Sequence, residues 1–179
     1  LFGPRRSLSD PTSKAALASY GLPQPAEELC SSPSRAAAEA GRIGFPVRMA
    51  LASPDLRVWD HPDLEVDGVE SAARARETYR QLITWARARR GDARLLGVTV
   101  SASRSIRAAL RFRAWPAPGD RVLTTIGFAD PHGLASGDES TWILPATPAY
   151  VERGLSRLAG ASLLLEGSPA QRADAVGHV

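Results

Sequence analysis

The sequence predicts a mixed α/β (α+β) fold with two lobes, and three patterns support this prediction. The longest helical pattern covers residues 69–90, where apolar residues recur at steps of three and four. Apolar runs at 47–52 and 93–101 have the length and composition of buried strands. Two further segments, 106–112 and 122–128, are read as strands joined by a turn rich in proline and glycine. The chain of 179 residues is long enough to bury a core without metals or disulfides.

Local signals predict the other elements. Thr12 or Ser13 can cap a short helix over 13–20, which ends before a glycine. Ser32 followed by Pro33 has the pattern of a helix N-terminus. The remaining segments are expected to be loops at 53–68 and 129–141, a last helix from 148 to about 159, and a run of three leucines at 163–165 that closes the core.

The domain organisation follows from these elements and from composition. Both ends of the chain are polar or rich in small residues, so we expect them to be mobile. The predicted parts are a flexible arm at 1–11, one domain at 12–168 with lobes at 12–91 and 92–168, and a tail at 169–179.

Composition narrows the functional classes. Hydrophobic residues make up 44% and charged residues 23%, as in ordinary globular proteins, and no run approaches the length of a membrane span. Cys30 is the single cysteine, so there is no disulfide framework, and we expect a cytoplasmic protein. The net charge is +3, but acidic residues are interspersed with the arginines, which argues against nucleic-acid binding. Heavy use of arginine and alanine indicates a bacterial source with a GC-rich genome. Lys14 is the only lysine and therefore the only ammonium available to a phosphate.

Two segments carry the most informative motifs. Residues 43–56 read I-G-F-P-V-R-M-A-L-A-S-P-D-L, and H-P-D-L-E-V-D-G-V follows at 61–69. Residues 13–25 read S-K-A-A-L-A-S-Y-G-L-P-Q-P. These motifs resemble the ATP-grasp domain of the NDP-forming acyl-CoA synthetases, relatives of the succinyl-CoA synthetase β subunit. That family typically reads I-G-Y/F-P-V-V-L-K-x-x-S-P-D-I, H-K-S/T-D/E-V-G-G-V and S-K-x-L-L-x-x-Y-G-I-P-V-P. The resemblance implies a two-lobed ATP-grasp-like fold over almost the whole chain.

The same resemblance implies a nucleotide cleft, but the sequence departs from the family at charged positions. Ala50 stands where the family has its nucleotide-binding lysine, and Arg107 stands at a family glutamate. Arg48 lies two residues before Ala50, on the same face of a strand, and could partly replace the lysine. The residues expected at the cleft, if it binds a nucleotide, are Arg48, His61, Val100, Arg107 and Gly127, with Asp138 and Glu139 as candidate metal ligands.

Each candidate also has a structural interpretation. Arg48 could be a solvated or structural charge, and His61 could belong to a capped loop ahead of the long helix. Asp138 and Glu139 could be solvated residues of an acidic loop. The hydrophobic frame of the motifs persists while the charged positions change, which is the pattern expected of a fold retained without its reaction.

The sequence therefore predicts a catalytically degenerate ATP-grasp-like domain, more a regulatory, ligand-binding or interaction module than an enzyme, and no cofactor. The alternative is the nucleotide-binding domain of an NDP-forming acyl-CoA synthetase, an acid–thiol ligase that takes ATP or ADP with Mg²⁺. A third interpretation is an anion or acyl-CoA sensor. The expected partners are other domains or subunits of a larger protein, or a second copy of the chain, without a membrane or nucleic acid.

Overall fold

The computed structural model describes residues 7–103, 109–129 and 135–161. The chain divides into two compact units, Leu1–Arg104 and Ser105–Val179. This division lies later than the lobe boundary expected near Gly91, because the strand that follows Gly91 pairs within the sheet of the first unit. None of the helices described is both long and apolar enough to cross a membrane.

The first unit contains three helices and four strands. In chain order they are α1 (Asp10–Ala18), β1 (Glu27–Cys30), α2 (Pro33–Ile43), β2 (Val47–Ala52), β3 (Glu65–Val69), α3 (Ala72–Arg89) and β4 (Gly97–Ala102), with two 3₁₀ turns at Val58–Asp60 and Pro62–Leu64. The strands form one sheet in the order β1-β4-β2-β3, with every pair antiparallel. β4 and β2 are therefore the central strands.

The core of the first unit lies between this sheet and the helices α2 and α3. Alternate residues of β2 and β4 meet small residues of α2 and large residues of α3. Cys30, at the end of β1, is fully buried in this core, and its burial raises the pKa of the thiol to about 11. The sulfur is therefore a neutral packing group at neutral pH.

The second unit contains three strands and one helix among the residues described. β5 (Ala109–Ala117), β6 (Arg121–Ala129) and β7 (Ala135–Leu144) form an antiparallel sheet in chain order, and α4 (Pro148–Leu155) follows. Ile126 and Trp142 pack against Val151 of α4. A Cβ on Gly154 would lie 2.2 Å from the Trp142 ring, so the absence of a side chain there lets α4 approach the sheet.

Several predicted elements are confirmed. α2 begins after the predicted cap, and the Ser32 hydroxyl accepts a hydrogen bond from the Arg35 N–H. β2 covers the predicted 47–52. α3 lies within the predicted 69–90 and has Ser71 as its N-cap.

Three expectations were wrong for identifiable reasons. α1 begins at Asp10 rather than Ser13, because Ser9 caps it and Pro11 is tolerated in the first turn. The expected loop 53–68 contains β3, and the expected loop 129–141 contains part of β7. Both strands are rich in polar residues and lack a clear apolar alternation, so only pairing with β2 and β6 reveals them. Residues 163–165, expected in the core, lie outside the described residues.

Candidate functional site

The outer face is the side of the four-stranded sheet opposite α2 and α3. It carries position 50, where the resemblance implies a lysine. Alternate residues of β2 are buried toward the helices, which leaves Arg48 and Ala50 on the outer face. The strand register places Arg48 opposite Ser101 of β4. Ala50 lies between Glu65 of β3 and Thr99 of β4. Three adjacent strands therefore build this site.

Arg48 is bound to Glu65 by a two-pronged ion pair. Its Nε and Nη2 donate to the two carboxylate oxygens of Glu65, each at 2.5 Å. The side chains are 37% and 23% exposed, so the pair is partly shielded from water. The hydrogen bonds that Arg48 donates to Glu65 raise the pKa of Arg48 above its usual value despite the opposing effect of burial. One edge of the guanidinium is thus already occupied by an anion of the protein itself.

The single lysine is also paired. The Lys14 ammonium lies 2.5 Å from Asp10 and 2.6 Å from Glu27. Burial lowers the pKa of this ammonium, but hydrogen bonds to the two carboxylates outweigh burial, and the pKa is raised. Glu27 lies opposite Ser101 in the register, so this group belongs to the outer face beside Arg48.

The carboxylates around Arg48 and Lys14 outnumber these two cations. Asp10 and Asp67 add to the attraction that Glu65 exerts on Arg48. Together with Glu27, these carboxylates outnumber the cations Arg48 and Lys14. A triphosphate needs cations around it, whereas the described part of the outer face offers carboxylates that already hold its cations.

His61 and Val100 lie at different places in the first unit. His61 separates the two 3₁₀ turns, where its carbonyl accepts from the Leu64 N–H and its own N–H donates to Val58. The Val100 side chain is fully buried on the helix side of the sheet, and its main chain lies between β1 and β2. His61 thus lies in the loop before β3, outside the sheet, and the Val100 side chain lies on the face opposite Arg48. A nucleotide contact for either residue stays a prediction.

Gly127 belongs to the second unit and has a packing role there. A Cβ at this position would lie 2.5 Å from Cγ of Glu139 and 2.6 Å from the Asp138 carbonyl oxygen. The bare backbone lets β7 side chains lie over the middle strand. Arg107 lies outside the described residues.

The two candidate metal ligands already have protein partners. A carboxylate oxygen of Asp138 accepts from the Gly160 N–H at 3.3 Å. Glu139 pairs with Arg113. Among the residues described, no three histidine, cysteine or acidic side chains come together as a metal site would require. A metal-binding role for Asp138 or Glu139 therefore stays a prediction.

Comparison with known proteins identifies the family of this chain. The sequence matches the ATP-grasp domain over residues 2–115, which is more than half of the chain. The chain belongs to the ATP-grasp family. The predicted resemblance and the predicted fold class are both confirmed.

Two curated relatives come from Pyrococcus furiosus. This ATP-grasp chain is 29% identical over 97 residues to subunit beta of ADP-forming acetate–CoA ligase II, and 31% identical over 96 residues to subunit beta of ligase I. The matches cover 54% and 53% of this chain. They cover 41% of each relative, so the chain matches about two fifths of the length of these proteins.

Solved structures share the fold at low sequence identity. The dinucleotide-forming acetyl-coenzyme A synthetase 1 of Ca. Korarchaeum cryptofilum, in complex with coenzyme A, Ca-AMPCP and HgCl⁺, has a TM-score of 0.76 and 22% identity. That match covers 92% of this chain and 72% of the synthetase chain. A protein of Pyrococcus horikoshii has a TM-score of 0.79 and 22% identity, covering 92% and 70%.

Sequence reasoning missed the partners of the cations. Glu65 lay in a segment read as loop, and its place opposite Ala50 appears only when β3 pairs with β2. Asp10 lay in the segment read as a flexible arm, yet it forms the first turn of α1. The available signal was the number of acidic residues in 55–67, which the sequence shows but does not place.

Proposed function

We propose that this chain is an ATP-grasp domain without nucleotide chemistry, acting as a regulatory, ligand-binding or interaction module of an acyl-CoA synthetase-like protein. One observation carries the proposal. Where the family motif implies a lysine, the outer face has the methyl group of Ala50, and the adjacent Arg48 is held by both oxygens of Glu65.

A nucleotide phosphate would have to compete with ion pairs that already exist on the outer face. A phosphate that recruits Arg48 must displace Glu65, and the carboxylate then loses its partner in a partly buried place. The same holds for Lys14, which would have to leave Asp10 and Glu27. A nucleotide therefore gains little on the described outer face, because each new ion pair breaks an existing one.

The proposed partners are other domains or subunits of a larger protein. The relatives named above are beta subunits, and the chain matches 41% of their length, which supports a role inside an assembly. A second copy of the chain is the other partner that we consider. The single cysteine, buried and reduced, fits a cytoplasmic location.

A second function, the nucleotide-binding domain of an NDP-forming acyl-CoA synthetase, is favoured by this same kinship. In that case ATP or ADP with Mg²⁺ would bind, with Arg48 taking the place of the missing lysine. The domain would then have to release Arg48 from Glu65.

Thermal unfolding with Mg-ATP and Mg-ADP separates the two functions. A ligand present at about 100 times its dissociation constant stabilises a protein by about 2.7 kcal/mol. We expect no shift of Tm at millimolar nucleotide beyond that of matched magnesium salt. A shift that disappears in Arg48→Ala would contradict the proposal and establish the second function.

A further inference from the structure

Of the three α-helices of the first unit, α1 alone has no buried residue. α2 and α3 each place several side chains in the core. Leu17 of α1 is 45% exposed, and Tyr20, directly beyond the C-terminal cap, is 84% exposed. The hydrophobic clusters of the first unit contain no residue of α1. Burial of apolar surface therefore contributes little to holding this helix on the sheet.

An open hollow lies between α1 and the chain segment that leads into β1. Pro11, Ala15 and Ala18 of the helix line this hollow together with Pro25, and its volume is about 220 Å³. The small apolar side chains of α1 thus face open space rather than the close-packed neighbours that a core helix has.

Local bonds set the form of α1 but do not attach it to the sheet. The Ser9 hydroxyl accepts from the Thr12 N–H, and the Ser13 hydroxyl donates to the Ser9 carbonyl. Asp10 pairs with Lys14 one turn later in the same helix. A helix of nine residues is only marginally stable by itself in water. We therefore expect α1 to lose its helical hydrogen bonds when it leaves the sheet.

One ion pair joins α1 to the sheet. The Lys14 ammonium donates to Glu27 of β1 at 2.6 Å, and among the residues described no other hydrogen bond connects α1 with a strand. The two side chains are 22% and 13% exposed, so water and salt screen their attraction less than that of a surface pair. Glu27 lies opposite Ser101, which itself lies opposite Arg48, so the attachment point is on the outer face.

We propose that α1 is a releasable strap on the outer face, held in its docked position by the ion pair between Lys14 and Glu27. In the docked position, Asp10 adds negative charge near Arg48. Release carries Asp10 and Lys14 away together and leaves Glu27 on the sheet as a carboxylate without its cation. The two positions of α1 thus give the outer face two arrangements of charge. A partner that brings a basic side chain to Glu27 favours the released position, because it binds that position better.

The proposal concerns a movement of α1 and does not rest on the proposed function. Hydrogen–deuterium exchange of the full chain, resolved by mass spectrometry of peptides, measures release through the main-chain amides of α1. Glu27→Gln is the test variant, since it keeps the shape of the side chain and removes its charge. Glu28→Gln is the matched control, because Glu28 is the next residue of β1 and pairs with Arg35 of α2. A peptide from β4 reports the stability of the core.

We expect the amides of α1 to exchange about tenfold faster or more in Glu27→Gln than in the wild type, as for loss of a hydrogen bond between charged groups. The control variant and the β4 peptide should show no change. Sodium chloride at about 1 M, where the Debye length is about 3 Å, should speed exchange of α1 in the wild type and have little effect in Glu27→Gln.

A second variant tests whether the pair acts as a unit. Lys14→Gln combined with Glu27→Gln should exchange no faster in α1 than Lys14→Gln alone, because both substitutions remove the same ion pair. A further increase in the double variant would show that Glu27 holds the helix through another group and would overturn the proposal.

Three results of the exchange experiment would also overturn it. Equal exchange of α1 in Glu27→Gln and the wild type would show that other contacts hold the helix. Exchange of α1 at the unprotected rate in the wild type would show that the helix is not docked. An equal rise in the β4 peptide would assign Glu27 to the stability of the whole unit rather than to the strap.

Discussion

At position 50, the neighbouring residue Glu65 decides whether a lysine there could reach a phosphate. The register puts Ala50 directly opposite Glu65, whose carboxylate is already bound to Arg48. A lysine introduced at position 50 would extend over the same face and meet that carboxylate first. Under the proposed function, Ala50 and Glu65 therefore act together, and replacing Ala50 alone leaves Glu65 in place.

We expect Ala50→Lys alone to show no stabilisation by Mg-ADP, because Glu65 takes the new ammonium. With Glu65→Gln added, the lysine and Arg48 are both released to a phosphate. Nucleotide at about ten times a millimolar dissociation constant contributes about 1.4 kcal/mol and should then raise Tm by about 3–6 °C. Differential scanning fluorimetry measures this shift, with Glu77→Gln on exposed α3 as the control background. Stabilisation of the Ala50→Lys single variant would show that Glu65 is not the obstacle.

At the scale of elements, β4 organises the first unit because it pairs with both β1 and β2. Its first residue, Gly97, has a φ of +138°, where side chains are rarely tolerated. A Cβ there would lie 2.2 Å from the carbonyl oxygen of Cys30. The close contact between the start of β4 and the end of β1 thus depends on glycine.

We expect Gly97→Ala to lower the free energy of unfolding by at least about 3 kcal/mol, because φ and the Cys30 carbonyl both oppose a side chain. The matched substitution Gly41→Ala, in the exposed part of α2, meets no atom within 4 Å. It should stabilise the protein by about 1 kcal/mol through helix propensity. Urea unfolding followed by circular dichroism measures both, and equal effects of the two substitutions would contradict this account.

The chain divides into two units, and their described parts have cores of different size. In the first unit, a four-stranded sheet and two long helices enclose a large cluster and a smaller one beside it. In the described part of the second unit, three strands and one helix enclose two small clusters. Burial of apolar surface stabilises a domain in proportion to its core, so the first unit should depend less on the second than the reverse.

We therefore expect a fragment of residues 1–104 to fold by itself and a fragment of 105–179 to remain largely unfolded. Amide chemical-shift dispersion and cooperative urea unfolding measure the folding of each fragment. A disordered 1–104 fragment, or an independently cooperative 105–179 fragment, would contradict the unequal division. The full chain measured in the same buffer provides the reference.

Much of the fold could be predicted because it depends on local chemistry. The cap Ser32 lies directly before a helix, and β2 is mostly apolar. The strands β3 and β7 could not be predicted because their polar residues have no strong local preference. They are ordered by hydrogen bonds to a neighbouring strand far away in sequence.

The amino-acid sequence by itself indicated the family, the order of most helices and strands, and an alanine at position 50 where the resemblance implies a lysine. These are properties of single positions or of short periodic segments. Only the tertiary structure decided that both carboxylate oxygens of Glu65 bind Arg48 and that Lys14 is shared by two carboxylates. It also decided that the Thr125 hydroxyl is buried opposite Arg113 with no hydrogen-bond partner among the residues described. The physical reason is that charge and hydrogen bonding act through space, and strand register rather than distance along the chain brings these groups together.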